Sequence, residues 1–118
     1  MLRKLLRAKI HRATVTEADI EYVGSITIDS KLLDATGIVP GECVLVADVD
    51  NGNRFETYVF EGQAGSGVIC VNGAAARLVD VGDKVIIIAF GYVDDAEVAG
   101  VVPKVILMNE DNSIKTVI

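Results

Sequence analysis

The chain has 118 residues, the size of one domain (1–118), with 51% hydrophobic residues, mean hydropathy +0.43 and a formal charge of −6. Its acidic balance (pI about 4.6) disfavours a nucleic-acid partner, which needs a basic face, and no apolar run nears the roughly 18 residues of a membrane helix. So much apolar residue in a short chain points instead to a subunit interface, and hence to an oligomer.

The first residues carry a basic cluster, Arg3, Lys4, Arg7, Lys9 and Arg12. It imitates a targeting peptide, but no apolar stretch follows and acidic residues come soon after, so the expected location is the cytoplasm. AKIHRATVT (8–16) then reads as a strand. Within it Lys9 and His11 flank Ile10 and share one face. A cation there suits a carboxylate; solvated charges on an outer face are the plain alternative. GSITID (24–29) is the next strand, and it opens on Gly24-Ser25. Strand interiors seldom hold such a pair, because Gly packs nothing and loses entropy. Either the pair is an ordinary turn, or the backbone there bends for a purpose.

DSKLLDATG (29–37) predicts a short helix, with Asp29 or Ser30 as N-cap, Leu32 and Leu33 to bury and Gly37 as the stop. ECVLVADV (42–49) and RFETYVF (54–60) are strands joined at Asn51-Gly52, a hairpin signal because both residues tolerate positive φ. Arg54 and Tyr58 share a face in the second strand. Arg suits bidentate carboxylate binding and Tyr can donate a proton; a packed Arg–Tyr pair is the alternative. GVICVNG (67–73) is a strand, and AAARL (74–78) a turn or so of helix. The amides of Asn72-Gly73-Ala74-Ala75-Ala76 either face a ligand or make a plain helix start. KVIIIAF (84–90) lies in the longest apolar run, Val85 to Val93, and suits a buried strand. KVILMN (104–109) is the last clear strand, and residues 109–118 either add an edge strand or fray.

Two stretches repeat. Residues 38–46 (IVPGECVLV) lie on 79–87 (VDVGDKVII), each with Gly, an acid, one further residue and an apolar strand. Gly makes the turn, the acid bonds the turn's amides and the strand enters the core, which suggests a pseudo-twofold barrel. Cys43 and Cys70 stand in apolar runs and read as buried free thiols. One His and no Cys-x-x-Cys leave no expected metal site, and no catalytic triad, P-loop or dinucleotide fingerprint is present.

The order of these motifs resembles the pyruvoyl-dependent aspartate 1-decarboxylases. The matching segments are KIHRATVTEADIEYVGSITID (9–29), LLDATGI (32–38), NGNRFETYVF (51–60) and VNGAAARLVDVGDKVII (71–87). The resemblance implies a mainly β fold, a double-psi β-barrel with a few short helices. It also implies a homotetramer with sites between subunits. Maturation would be autocatalytic: the Ser25 hydroxyl attacks the Gly24 carbonyl, and the chain parts into 1–24 and 25–118. Ser25 then becomes a covalent pyruvoyl group, the sole cofactor, with no metal and no PLP. Gly24, lacking Cβ, would let the backbone strain and the hydroxyl approach.

By the same resemblance, Thr57 would hold the oxyanion during cleavage, helped by Asn72 and Tyr22. Lys9 and Arg54 would bind the carboxylates of L-aspartate, Tyr58 would donate the proton, and His11, Gly73, Ala74 and Ala75 would shape the site. The implied reaction gives β-alanine and CO2 through a Schiff base, for pantothenate and coenzyme A. Strict alternation sends Thr57 and Tyr58 to opposite faces, so the implied site requires a bulge or a position between subunits. The rival readings are a non-enzymatic double-psi barrel that binds a peptide or protein, and a pyruvoyl decarboxylase of another amino acid.

Overall fold

Period-two alternation of Val, Ile and Thr runs through most of the chain. The computed structural model, which describes residues 1–118, resolves it into nine strands: β1 (Leu2–Thr14), β2 (Glu17–Asp19), β3 (Ser25–Asp29), β4 (Cys43–Asp48), β5 (Arg54–Gly62), β6 (Ile69–Asn72), β7 (Lys84–Asp94), β8 (Lys104–Met108) and β9 (Ile114–Val117). One α-helix, α1 (Ser30–Thr36), and two 3-10 turns, Gly73–Leu78 and Asp95–Gly100, complete it. The helix ends follow from their caps. The Asp29 side chain accepts from Lys31 N, and Gly37, at φ 75°, ends the helix.

Most expected elements are present, with three differences. β1 starts at Leu2, because Leu2–Leu6 pair with Phe90–Asp94 of β7. β2 carries no apolar signal; its pairing with Cys70–Asn72 of β6 defines it. Asp95–Gly100 is held by a capping box between Asp94 and Glu97. The tail forms edge strand β9 on β8. The basic cluster is partly engaged: Arg3 pairs with Asp95 at 2.7 Å, Arg7 with Glu42, and the Lys4 ammonium lies 4.5 Å from the centre of the Phe90 ring.

The strand order is β2-β6-β3-β5-β4-β7-β1-β8-β9. The pairs β1–β8, β2–β6 and β3–β5 are parallel and the others antiparallel. The barrel closes where β1 leads towards β2: Val15 N donates to Asp83 O at 2.9 Å and Thr16 N to Ile69 O at 2.8 Å. The core is aliphatic, with Ile10, Ile26, Ile28, Leu32, Ile69, Ile87 and Ile106 fully buried. Each is worth about 1.5–3 kcal/mol of burial.

The sequence repeat is real in space. Gly41 and Gly82 both adopt positive φ, 87° and 95°. The acid after each bonds the turn in the same way, Glu42 accepting from Val39 N at 3.1 Å and Asp83 from Asp80 N at 3.0 Å. The repeat lays Val46 on Ile87, and these two residues pair directly between β4 and β7, so the pseudo-twofold passes between them.

Beside that axis lies a buried carboxyl. Asp48 is 2% exposed; its Oδ1 accepts from Asp50 N and Asn51 N, while Oδ2 has no conventional donor. Burial, and next a hydrogen bond with Asp83, push the Asp48 carboxyl up to about 6. The bond from Asp48, and next the Asp80 amide, hold Asp83 below the usual range. Below about pH 6 a proton held on Asp48 can therefore bridge to Asp83. Asp48, with its folded value raised, stabilises fully below the ordinary carboxyl range, and this contribution is lost as pH rises through about 6. Asp83 acts oppositely, losing its contribution only as pH falls through its lowered value. We expect urea denaturation to show wild type losing about 1.4 kcal/mol between about pH 5 and pH 7.5, the worth of the one pH unit from 5 to about 6. Asp48→Asn keeps an N–H for Asp83 at every pH and should lose less than about 0.5 kcal/mol. Equal losses in the two proteins would place the titrating proton elsewhere.

Candidate active site

Ser25 is the first residue of β3, and its side chain shares the outward face with Thr27 because Ile26 and Ile28 turn inward. It is nevertheless 0% exposed. Its neighbours across the sheet follow from register. Ser25 pairs with Asn72 of β6, and one step before the Ile26–Val59 pair it lies beside Tyr58 of β5, which in turn pairs with Cys43 of β4. Four strands thus place Asn72, Ser25, Tyr58 and Cys43 in one row.

The row is hydrogen-bonded at its buried end. Asn72 Nδ2 donates to Ser25 Oγ at 3.0 Å and to Thr27 Oγ1 at 3.2 Å. Ser25 Oγ donates to Val23 O at 3.2 Å. Cys70 Sγ donates to Asn72 Oδ1 at 3.2 Å.

The glycine that space demands is Gly73, at φ 74°. A Cβ there would lie 2.6 Å from Gly24 Cα and 2.9 Å from Gly24 N. Gly24 itself has no left-handed φ, and a Cβ on it would meet nothing within 4 Å. Gly24 therefore carries no left-handed strain, and space does not require its want of a Cβ. The close approach belongs to its neighbour, because the Asn72–Gly73 backbone presses against the Val23–Ser25 bend.

A cavity of about 410 Å³ opens here, lined by Gly24, Thr57, Tyr58, Asn72, Ala74 and Ala75, with Cys43 and Glu56. Thr57 and Tyr58 both reach it without a bulge. The β5 register is regular on both sides, Thr57 faces inward and Tyr58 outward at 59% exposure, and both line the cavity beside the start of β3. No bulge is therefore needed to bring them to one site.

The other expected residues lie apart. Arg54 shares the outer face of β5 with Tyr58, as its spacing predicts, but is not part of the lining. Lys9 pairs with Ile88 and Val105, in the middle of β1. His11 lines a separate hollow of about 230 Å³ with Arg12, Lys84 and Lys115. Its Nδ1 is buried without a partner, and burial, then Lys9 and Arg12, lower its pKa. Tyr22 stands exposed in the turn before Val23.

Two lining residues escaped the sequence reading. Glu56 lies between Arg54 and Tyr58 on the same outward face, so alternation alone could have found it. Cys43 was expected to be buried and is exposed, because Val44 and Val46 take the inward positions of β4. Burial and then Glu56, whose Oε2 lies 3.6 Å away, push its thiol pKa up. Cys70 is buried, as expected.

Comparison with known proteins bears on this geometry. Residues 1–115 match the family model described as Aspartate decarboxylase. The chain is 55% identical over 118 residues to the aspartate 1-decarboxylase of Neisseria meningitidis (serogroup C), covering 100% of this chain and 93% of that protein. It is 55% identical over 117 residues to the aspartate 1-decarboxylase of Clostridium beijerinckii, covering 99% and 94%. Among solved structures it is similar to the rationally designed mkDPBB_sym1 protein, a double-psi β-barrel, with TM-score 0.50 and 28% identity over 74% of this chain and 96% of the other. The barrel is thus a double-psi β-barrel, as expected.

Proposed function

The chain belongs to the aspartate decarboxylase family, and from that premise we infer that it cuts itself between Gly24 and Ser25 and converts L-aspartate into β-alanine and CO2. The observation that carries this reading is the setting of Ser25. A fully buried serine accepts one side-chain N–H, beside a backbone bend that leaves no room for a Cβ on Gly73, and its neighbours Gly24 and Asn72 line a cavity that also holds the Tyr58 phenol. A non-enzymatic barrel does not need that arrangement.

The maturation balances as follows. Ser25 Oγ attacks the Gly24 carbonyl carbon, the Gly24–Ser25 C–N bond breaks, and an ester replaces the amide. Thr57, on the cavity wall with Gly24, is the residue for the oxyanion. Loss of the Ser25 Cα proton expels Gly24 as a carboxylate that keeps the former Oγ. Water then replaces the amine of the new residue 25 and ammonia leaves. The resulting pyruvoyl group would form at residue 25, next to Asn72 Nδ2 and near the cavity that Ala74 and Ala75 line. It supplies a ketone that condenses with an amine and withdraws electrons as CO2 departs.

Tyr58, beside Ser25 in register, is the proton donor to Cα. Lys9 and Arg54 are the cations for the two carboxylates, and His11 shapes their surroundings. They do not line the cavity of their own protomer, which supports a site completed between subunits of a homotetramer. Exposed Tyr22, Val23, Phe60 and Tyr92 provide apolar surface for such contacts. Two unpaired cysteines suit a cytoplasmic protein, and β-alanine suits a supply to pantothenate.

The test is the intact mass of purified protein. Two pieces, 1–24 and 25–118, are expected, together heavier than the precursor by water less ammonia, and the larger should resist Edman degradation. A single uncut chain that still releases CO2 from aspartate would overturn the maturation.

A further inference from the structure

We infer that Cys70 is a positioning residue for self-cleavage: its thiol decides which end of the Asn72 carboxamide faces Ser25. This rests on the maturation proposed above.

Cys70 and Asn72 are two apart on β6 and share its outward face, 7% and 3% exposed. A carboxamide has nearly equal ends, and its orientation is set by its partners. On one side lie Ser25 Oγ and Thr27 Oγ1, both within 3.2 Å of Nδ2. Thr27 Oγ1 can donate or accept, and Ser25 Oγ, which donates to Val23 O at 3.2 Å at rest, must give up that bond to attack, so neither hydroxyl by itself holds the amide through the reaction. The tie is broken on the other side, where Cys70 Sγ lies 3.2 Å from Oδ1. An S–H donor there meets the oxygen; after a flip it would meet an N–H. The rival acceptor for the thiol is Glu17 Oε2, farther away at 3.9 Å and on an exposed residue. Burial, and then Glu17 and Asp19, push the thiol pKa up, which keeps the hydrogen on sulfur.

The orientation matters because Ser25 Oγ bears negative charge twice. It does so as it attacks Gly24, and again when it leaves as part of the Gly24 carboxylate. An N–H facing Oγ stabilises both stages, and a carbonyl oxygen in the same place opposes both.

The experiment follows the conversion of the 1–118 chain into 25–118 by intact mass, in wild type, Cys70→Ser and Cys70→Val, with thermal midpoints measured alongside. Ser restores a donor and Val has none. We expect Cys70→Val to cut about tenfold more slowly, the worth of one hydrogen bond to a charged group, and Cys70→Ser to stay within about threefold of wild type. If Val and Ser slow cutting equally, in step with their thermal midpoints, the role is packing and the inference fails. It fails too if Val cuts at the wild-type rate while wild type cuts normally, and the maturation then stands. A wild-type chain that never cuts overturns both. Should Cys70→Val not fold, Cys70→Ala, also without a donor, is read by the same outcomes.

Discussion

Ser25→Ala is expected to remain one chain of 118 residues and to release no CO2 from aspartate. The loss is complete because one oxygen performs two tasks. In the proposed maturation it is the nucleophile that opens the Gly24–Ser25 bond, and its departure creates the residue from which the carbonyl forms. No other hydroxyl replaces it. Thr27 Oγ1 also meets Asn72 Nδ2, but lies two residues further along β3, away from the Gly24 carbonyl. The fold should survive. Ala fits the buried position, β3 keeps its pairing with β5 and β6, and Asn72 Nδ2 keeps Thr27 as a partner. The expected cost is about 1–3 kcal/mol, that of the two hydrogen bonds Oγ makes, with Asn72 Nδ2 and Val23 O. Intact mass, a thermal melt and a CO2-release assay decide the matter together. A folded Ser25→Ala protein that appears as two pieces would remove Ser25 from the cleavage.

Tyr58→Phe should separate the two halves of the function. It should mature nearly normally, since the proposed acyl shift does not use the phenol, and then lose about 10²–10⁴-fold in kcat, the usual worth of a positioned general acid. After CO2 leaves, the substrate Cα needs one proton. A tyrosine hydroxyl can supply it as a general acid. The hydroxyl of Tyr58 makes no hydrogen bond within the chain and its ring is 59% exposed, so its removal should change stability by less than about 0.5 kcal/mol. The rate must be divided by the pyruvoyl content of each preparation, so that incomplete cutting is not mistaken for slow chemistry. A normalised kcat within about twofold of wild type would assign the proton elsewhere, with water or His11 next to test.

Much of the local architecture was determined by the sequence itself, because its causes are local. Helix α1 follows from an Asp that caps at 29, two leucines to bury and a Gly able to turn left-handed at 37. The pseudo-twofold was legible as Gly-acid-x-apolar in two copies, since each copy closes its own turn with its own acid. The shared face of Arg54 and Tyr58 followed from a period of two. The opening Gly-Ser, read beside the surrounding motifs, pointed to Ser25. Tertiary structure decided what depends on partners distant in the chain. β2 exists because β6 offers it hydrogen bonds. Cys43 faces out beside Tyr58, and Cys70 reaches Asn72, only once registers are set across four strands. The glycine required by crowding proved to be Gly73 rather than Gly24, since only the packed barrel presses the two backbones together. Thr57 and Tyr58 meet one cavity from opposite faces where β3 begins and β6 ends beside them. Periodicity records which side of a strand a residue occupies. Which surfaces that side meets is written in long-range pairing, and the site is made of such meetings.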